Sequence, residues 1–295
     1  MRSTARRIVL VAALLLVPAA AAATEQLEYL ERVTAGAGPD ERLPLVVAIH
    51  GLGDRPERFV NLFDGFETPV RLVVPRAPRA WGDGYTWFPL RDPTAGEGEG
   101  VVDGLLRSAS LIAQLIESVG SQRPTRGTAV VTGFSQGGAL SFVLAVKHGE
   151  LVRLAVPIGG WLPDGVAVAE ATDTGAPAGA GNGPSGAAAE EAAGATAAAS
   201  PGGADRATAK SDRATGASGA QSAASDRSTA KHGRPRIVAL HGADDRRVPL
   251  SRAERSTERL RDAGYDVELR RYPGVGHSIP APVRDELFRL LAAPR

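Results

Sequence analysis

A chain of 295 residues is long enough for one large domain or two small ones, and an apolar content of 43% supplies a substantial core. With 34 basic and 33 acidic residues the formal charge is +1 and no basic stripe stands out, so composition gives no reason to expect a nucleic-acid partner. Cysteine is absent, which excludes disulfides and a lipid-modified cysteine.

The N-terminus reads as an export signal. Arg2, Arg6 and Arg7 precede an apolar run over 8–17, followed by Pro18 and alanines from Ala19 to Ala23. A charged start, a short apolar stretch and a small-residue cleavage site are the parts of a secretory signal peptide. The run falls well short of the roughly 20 residues a transmembrane helix needs. The expectation is a signal peptide over 1–23, no stable membrane span after its removal, and a periplasmic or extracellular location.

Strands then alternate with helices. Leu27, Tyr29 and Val33 suggest a half-buried first strand. Leu45-Val46-Val47-Ala48-Ile49 is a continuous apolar run that stops at His50-Gly51, and Leu72-Val73-Val74 stops at Pro75. Apolar residues at helical spacing (Val102, Leu105, Ala109, Ile112, Ile116) predict a helix over 101–119. A β-branched run, Ala129-Val130-Val131-Thr132, enters Gly133-Phe134-Ser135-Gln136-Gly137, and a small-residue helix pattern follows at once. Strand, Gly-x-Ser-x-Gly turn and helix in direct succession form the context of a nucleophile elbow. Further strands are predicted at 154–158, 237–240 and 267–272, with helices over 251–263 and 282–292. Continuous apolar strands between helices imply a mostly parallel central sheet covered by helices on both faces.

One stretch departs from this pattern. Between Ala169 and Arg236 there is no Val, Ile, Leu, Met, Phe, Trp or Tyr. Such a composition cannot bury enough apolar surface to offset the entropy of ordering. It carries a degenerate repeat (Asp205-Arg206-Ala207-Thr208, Asp212-Arg213-Ala214-Thr215, Asp226-Arg227-Ser228-Thr229) without an apolar face, which argues against a solenoid. A lid would need an apolar underside, which this segment lacks. The reading is a low-complexity disordered insertion over 169–236 within one domain made of 24–168 and 237–295.

A serine hydroxyl is a weak nucleophile until a base sits within hydrogen-bond reach. Of five histidines, His232 falls in the insertion and His148 near a helix C-terminus, where a cation suits the dipole. His50 and His241 each end an apolar strand before a glycine, a place for pinning loops. His277, in Gly274-Val275-Gly276-His277-Ser278 between the last strand and the last helix, is the candidate base. Its carboxylate partner belongs in the loop after 237–240, where Asp244 and Asp245 are adjacent and spacing does not decide between them. An oxyanion hole needs one N–H from the residue after the nucleophile, Gln136, and another from the glycine loop His50-Gly51-Leu52-Gly53-Asp54. Arg76, Arg79 and Arg91 on polar loops read as solvated or as contacts for an anionic substrate group. Trp81 and Trp87 read equally as core or as substrate wall.

Taken together, His50-Gly51-Leu52-Gly53-Asp54, Pro75-Arg76-Ala77-Pro78, Trp87-Phe88, Gly133-Phe134-Ser135-Gln136-Gly137-Gly138 and His241-Gly242-x-x-Asp245-x-x-Val248-Pro249, with His277 in its glycine loop, make the sequence similar to the phospholipase/carboxylesterase family of α/β-hydrolases, which includes acyl-protein thioesterases and bacterial carboxylesterases. The resemblance spans nearly the whole mature chain except the insertion. It implies Ser135 as nucleophile, Asp245 (not Asp244) as the acid, His277 as the base, Leu52 and Gln136 as oxyanion donors, and Trp87-Phe88 as a wall near the site. It implies no metal and no cofactor. The expected activity is an exported serine hydrolase cleaving small-molecule carboxylic esters or thioesters through an acyl-enzyme. The alternatives are a serine peptidase or polyester depolymerase on the same scaffold, and a non-catalytic binding protein with this fold.

Overall fold

The apolar β-branched runs become strands of one sheet. The computed structural model describes residues 26–89, 99–169 and 233–293. Its strands are β1 (Tyr29–Val33), β2 (Leu43–Ile49), β3 (Arg71–Pro75), β4 (Arg79–Trp81), β5 (Gly84–Thr86), β6 (Thr125–Phe134), β7 (Val152–Ile158), β8 (Arg236–Gly242) and β9 (Val267–Tyr272). The helices are α1 (Pro56–Phe59), α2 (Glu99–Gln122), α3 (Gln136–Lys147), α4 (Leu250–Asp262) and α5 (Ala281–Ala292). Seven strands lie in the order β1-β3-β2-β6-β7-β8-β9. Only β1 is antiparallel to its neighbour; the other pairings are parallel. This is the mostly parallel sheet that the alternation of strands and helices implied.

Both faces of the sheet are buried, and successive residues of a strand serve opposite cores. In β2, Val47 and Ile49 join the core built with Leu105, Ile112, Leu140 and Leu260 of α2, α3 and α4. Val46 and Ala48 join the other, with Phe59 and Phe63 and with Leu287 and Leu290 of α5. Two-sided burial is why the central strands read as unbroken apolar runs rather than as alternating ones. The edge strand β9 is partly exposed, and its Glu268, Arg270 and Arg271 keep a charged margin there.

Two features were not foreseen. The three-residue strands β4 and β5 form a separate antiparallel hairpin, too short to leave a periodic signal. The stretch assigned to the insertion also reaches too far: Arg236 already begins β8. Arg234 donates to the carbonyls of Ala263 and Ala169, and its guanidinium lies 4.3 Å over the Tyr265 ring. The signal peptide over 1–23, the remainder of the insertion from 170 to 232, Arg91 and His232 lie outside the described residues.

Parallel strands present their C-terminal ends along one edge. The segments after β2, β6, β7, β8 and β9, which hold Leu52, Ser135, Trp161, Asp245 and His277, therefore gather at that edge.

Candidate active site

The elbow is visible in the backbone. Ser135 sits between the end of β6 and the start of α3 at φ 57° and ψ −112°, outside the regions that ordinary residues favour. The turn is held by Ser135 N–H donating to Ile158 O at 2.9 Å and Ala139 N–H donating to Ser135 O at 3.0 Å. Glycine is required on both sides for lack of room. A Cβ on Gly133 would lie 2.5 Å from the Gly137 carbonyl carbon, and one on Gly137 would lie 2.0 Å from Ile49 O. A strained residue persists only where its surroundings over-determine it, and such residues cluster at functional sites.

The adjacent aspartates have different surroundings. Asp244 is exposed, whereas Asp245 is buried. Asp245 Oδ1 accepts the N–H groups of Arg247 and Val248, each at 2.9 Å. Its Oδ2 lies 2.6 Å from His277 Nδ1. A carboxylate accepts, so His277 donates through Nδ1 and its Nε2 keeps a free lone pair. The imidazole packs on the Phe134 ring at 4.6 Å between centroids. Ser135 and His277 line one cleft of about 420 Å³.

The glycine loop after β2 is clamped against the elbow. His50 Nδ1 donates to Gly51 O at 2.7 Å while its Nε2 accepts the Ala77 N–H at 3.2 Å. Those two bonds need a neutral ring, and burial pushes the His50 pKa down from 6.5 in the same direction. Trp87 Nε1 donates to His50 O at 2.9 Å. Leu52 and Gln136 both line the cleft, and among the described residues neither main-chain N–H has a hydrogen-bond partner. Gln136 also opens α3, so its N–H adds the positive end of a 12-residue helix. Its side chain ties the elbow to the neighbouring wall: Oε1 accepts from Thr86 Oγ1 and Trp87 N, both at 3.1 Å, and Nε2 donates to Phe88 O at 3.2 Å.

The other candidates separate. Phe88 lines the cleft, but Trp87 is 1% exposed and belongs to the core behind it, fixed by the bond to His50. Trp81 is 46% exposed on the hairpin. Arg76 pairs with Glu28 at 2.6 Å and stands over Tyr85, and neither it nor Arg79 lines the cleft. His241 donates through Nε2 to Val248 O at 2.9 Å, with burial lowering its pKa. His148 caps α3, and burial lowers its pKa too. The cleft also takes in Asp54, the last residue of the glycine-loop motif, and Trp161, Arg58 and Arg247, which motif reasoning missed. Trp161 was within reach of a simpler rule, since it follows the strand end at Gly159-Gly160 on the edge where such sheets bind ligands.

A mostly parallel sheet with an elbow at the end of a central strand defines an α/β-hydrolase. The chain belongs to the phospholipase/carboxylesterase family: residues 31–177 match that family, and residues 209–291 also match the prolyl oligopeptidase family. Acyl-protein thioesterase 1 of Gibberella zeae is 40% identical over 55 residues, 19% of this chain and 23% of that protein, so this match spans under a quarter of the relative. A probable carboxylesterase of Oryza sativa subsp. japonica is 22% identical over 256 residues, 83% of this chain and 74% of that protein. The crystal structure of a carboxylesterase from Mesorhizobium loti superposes with a TM-score of 0.59 at 18% identity, covering 92% of this chain and 100% of that one.

Proposed function

We propose that this family member is an exported serine esterase or thioesterase working through an acyl-enzyme. Ser135 Oγ attacks the substrate carbonyl as His277 Nε2 takes its proton, and Asp245 stabilises the resulting imidazolium. The N–H groups of Leu52 and Gln136 receive the tetrahedral oxyanion. Collapse breaks the bond to the leaving alkoxide or thiolate, which takes the proton from His277. Water, deprotonated by the same imidazole, attacks the acyl carbon and releases the carboxylic acid, restoring Ser135. The observation that carries this reading is the 2.6 Å contact between Asp245 and His277 in the cleft that Ser135 also lines.

Replacing Ser135 by Ala is expected to lower turnover of a short-chain aryl ester by about 10⁴-fold or more and to abolish labelling by a fluorophosphonate probe, with circular dichroism unchanged. Labelling also separates an enzyme from a binding protein, since only an activated serine reacts. Export rests on the N-terminal composition; N-terminal sequencing of protein recovered outside the cytoplasm should start near residue 24, and an intact Met1 there would refute cleavage.

The match of residues 209–291 to the prolyl oligopeptidase family favours one second reading, a serine peptidase with the same triad. Turnover of a peptide amide above that of matched esters and thioesters would select it.

A further inference from the structure

The charge lining the cleft is unbalanced. Among the described residues its one carboxylate beyond the candidate triad is Asp54, which is already committed. Asp54 Oδ1 accepts the Arg55 N–H at 2.9 Å and pairs with Arg58 Nε at 2.9 Å. Arg247 lines the same cleft and, among the described residues, is in no ion pair. Its main-chain N–H is bonded to Asp245 Oδ1, which fixes its backbone beside the site. Asp244, Arg246 and Arg247 are all exposed, and of the three only Arg247 lines the cleft.

A guanidinium is planar, always charged and shaped to grip a carboxylate with two parallel bonds. We infer that this cleft selects esters bearing a free carboxylate, held by Arg247, over their uncharged counterparts. The inference rests on the hydrolase reading above. It names a substrate class and leaves open which side of the ester carries the charge, because Arg247 borders the reaction centre and not an identified acyl or alcohol pocket.

Two matched pairs of esters test it. In the acyl pair, the 4-nitrophenyl monoester of glutaric acid is compared with 4-nitrophenyl pentanoate. In the alcohol pair, the butyryl ester of 4-hydroxybenzoic acid is compared with that of methyl 4-hydroxybenzoate. The wild-type protein should prefer the carboxylate in at least one pair by kcat/KM, and that pair assigns the side. The preference ratio should fall by about 10- to 100-fold in Arg247→Gln, fall less in Arg247→Lys, and shrink with added salt. Turnover of the neutral esters with no carboxylate preference, or with the same ratio in Arg247→Gln, overturns the inference and leaves the hydrolase reading standing. No turnover of any ester together with an unlabelled Ser135 removes the hydrolase reading, and this inference with it.

Discussion

The loops that leave β2 and β8 share one local device and put it to two uses. Each is led into by a buried histidine followed by glycine, His50-Gly51 just after β2 and His241-Gly242 at the end of β8. Each ring donates to a neighbouring carbonyl, Gly51 O at 2.7 Å in one and Val248 O at 2.9 Å in the other. The β2 loop then offers a main-chain N–H, at Leu52, whereas the β8 loop offers a side chain, the Asp245 carboxylate held by two main-chain donors. The contrast separates what a side chain does from what a backbone does. A backbone donor survives most substitutions of its residue; a side-chain acceptor survives none.

The largest effect should come from the side-chain end. Asp245→Asn keeps shape but replaces an acceptor by an amide that no longer fixes the His277 tautomer, and kcat should fall by about 10⁴-fold. Steady-state kinetics on a short aryl ester reads this directly, and retention within a factor of about ten would remove Asp245 from the triad. At the backbone end the outcome depends on the N–H. Leu52→Pro, which deletes it, should cost about 10²- to 10³-fold in kcat, whereas Leu52→Ala, which keeps it, should stay within about threefold. Equal losses in both variants would mean that the leucine side chain is what matters.

The smallest effect concerns the shared histidines and is read in stability. Burial holds the pKa of both His50 and His241 below the ordinary 6.5, so the unfolded chain takes up protons first as pH falls. Their contribution is complete above the unfolded value and drains away as pH drops from there toward the folded-state values. The melting temperature should therefore decline below about pH 6.5, and His241→Gln, which can still donate to Val248 O, should flatten the decline. An unchanged slope would show that His241 does not titrate on unfolding.

The candidate site was only partly legible in the chain. Ser135 announces itself because its turn needs glycines at fixed offsets, and Gly133 and Gly137 are legible one residue at a time. His277 follows from its place between the last strand and the last helix. Asp245 and Asp244 are chemically identical in sequence; what divides them is burial and two main-chain donors, both consequences of how the loop folds back. Trp87 and Phe88 are neighbours in one buried core, yet only Phe88 also lines the cleft, while the Trp87 indole N–H reaches His50 O. Arg247 looks like any surface arginine in sequence, and only the fold shows that it borders the cleft.

Strand-forming runs, helical spacing and the elbow are written in residue type and local order, so the sheet and the candidate nucleophile were determined by the sequence read on its own. The choice between adjacent carboxylates, the burial of Trp87 and the uncompensated charge of Arg247 were decided by tertiary structure. Each depends on groups tens of residues apart being brought together, and a buried polar atom takes its partner from what lies nearby in space.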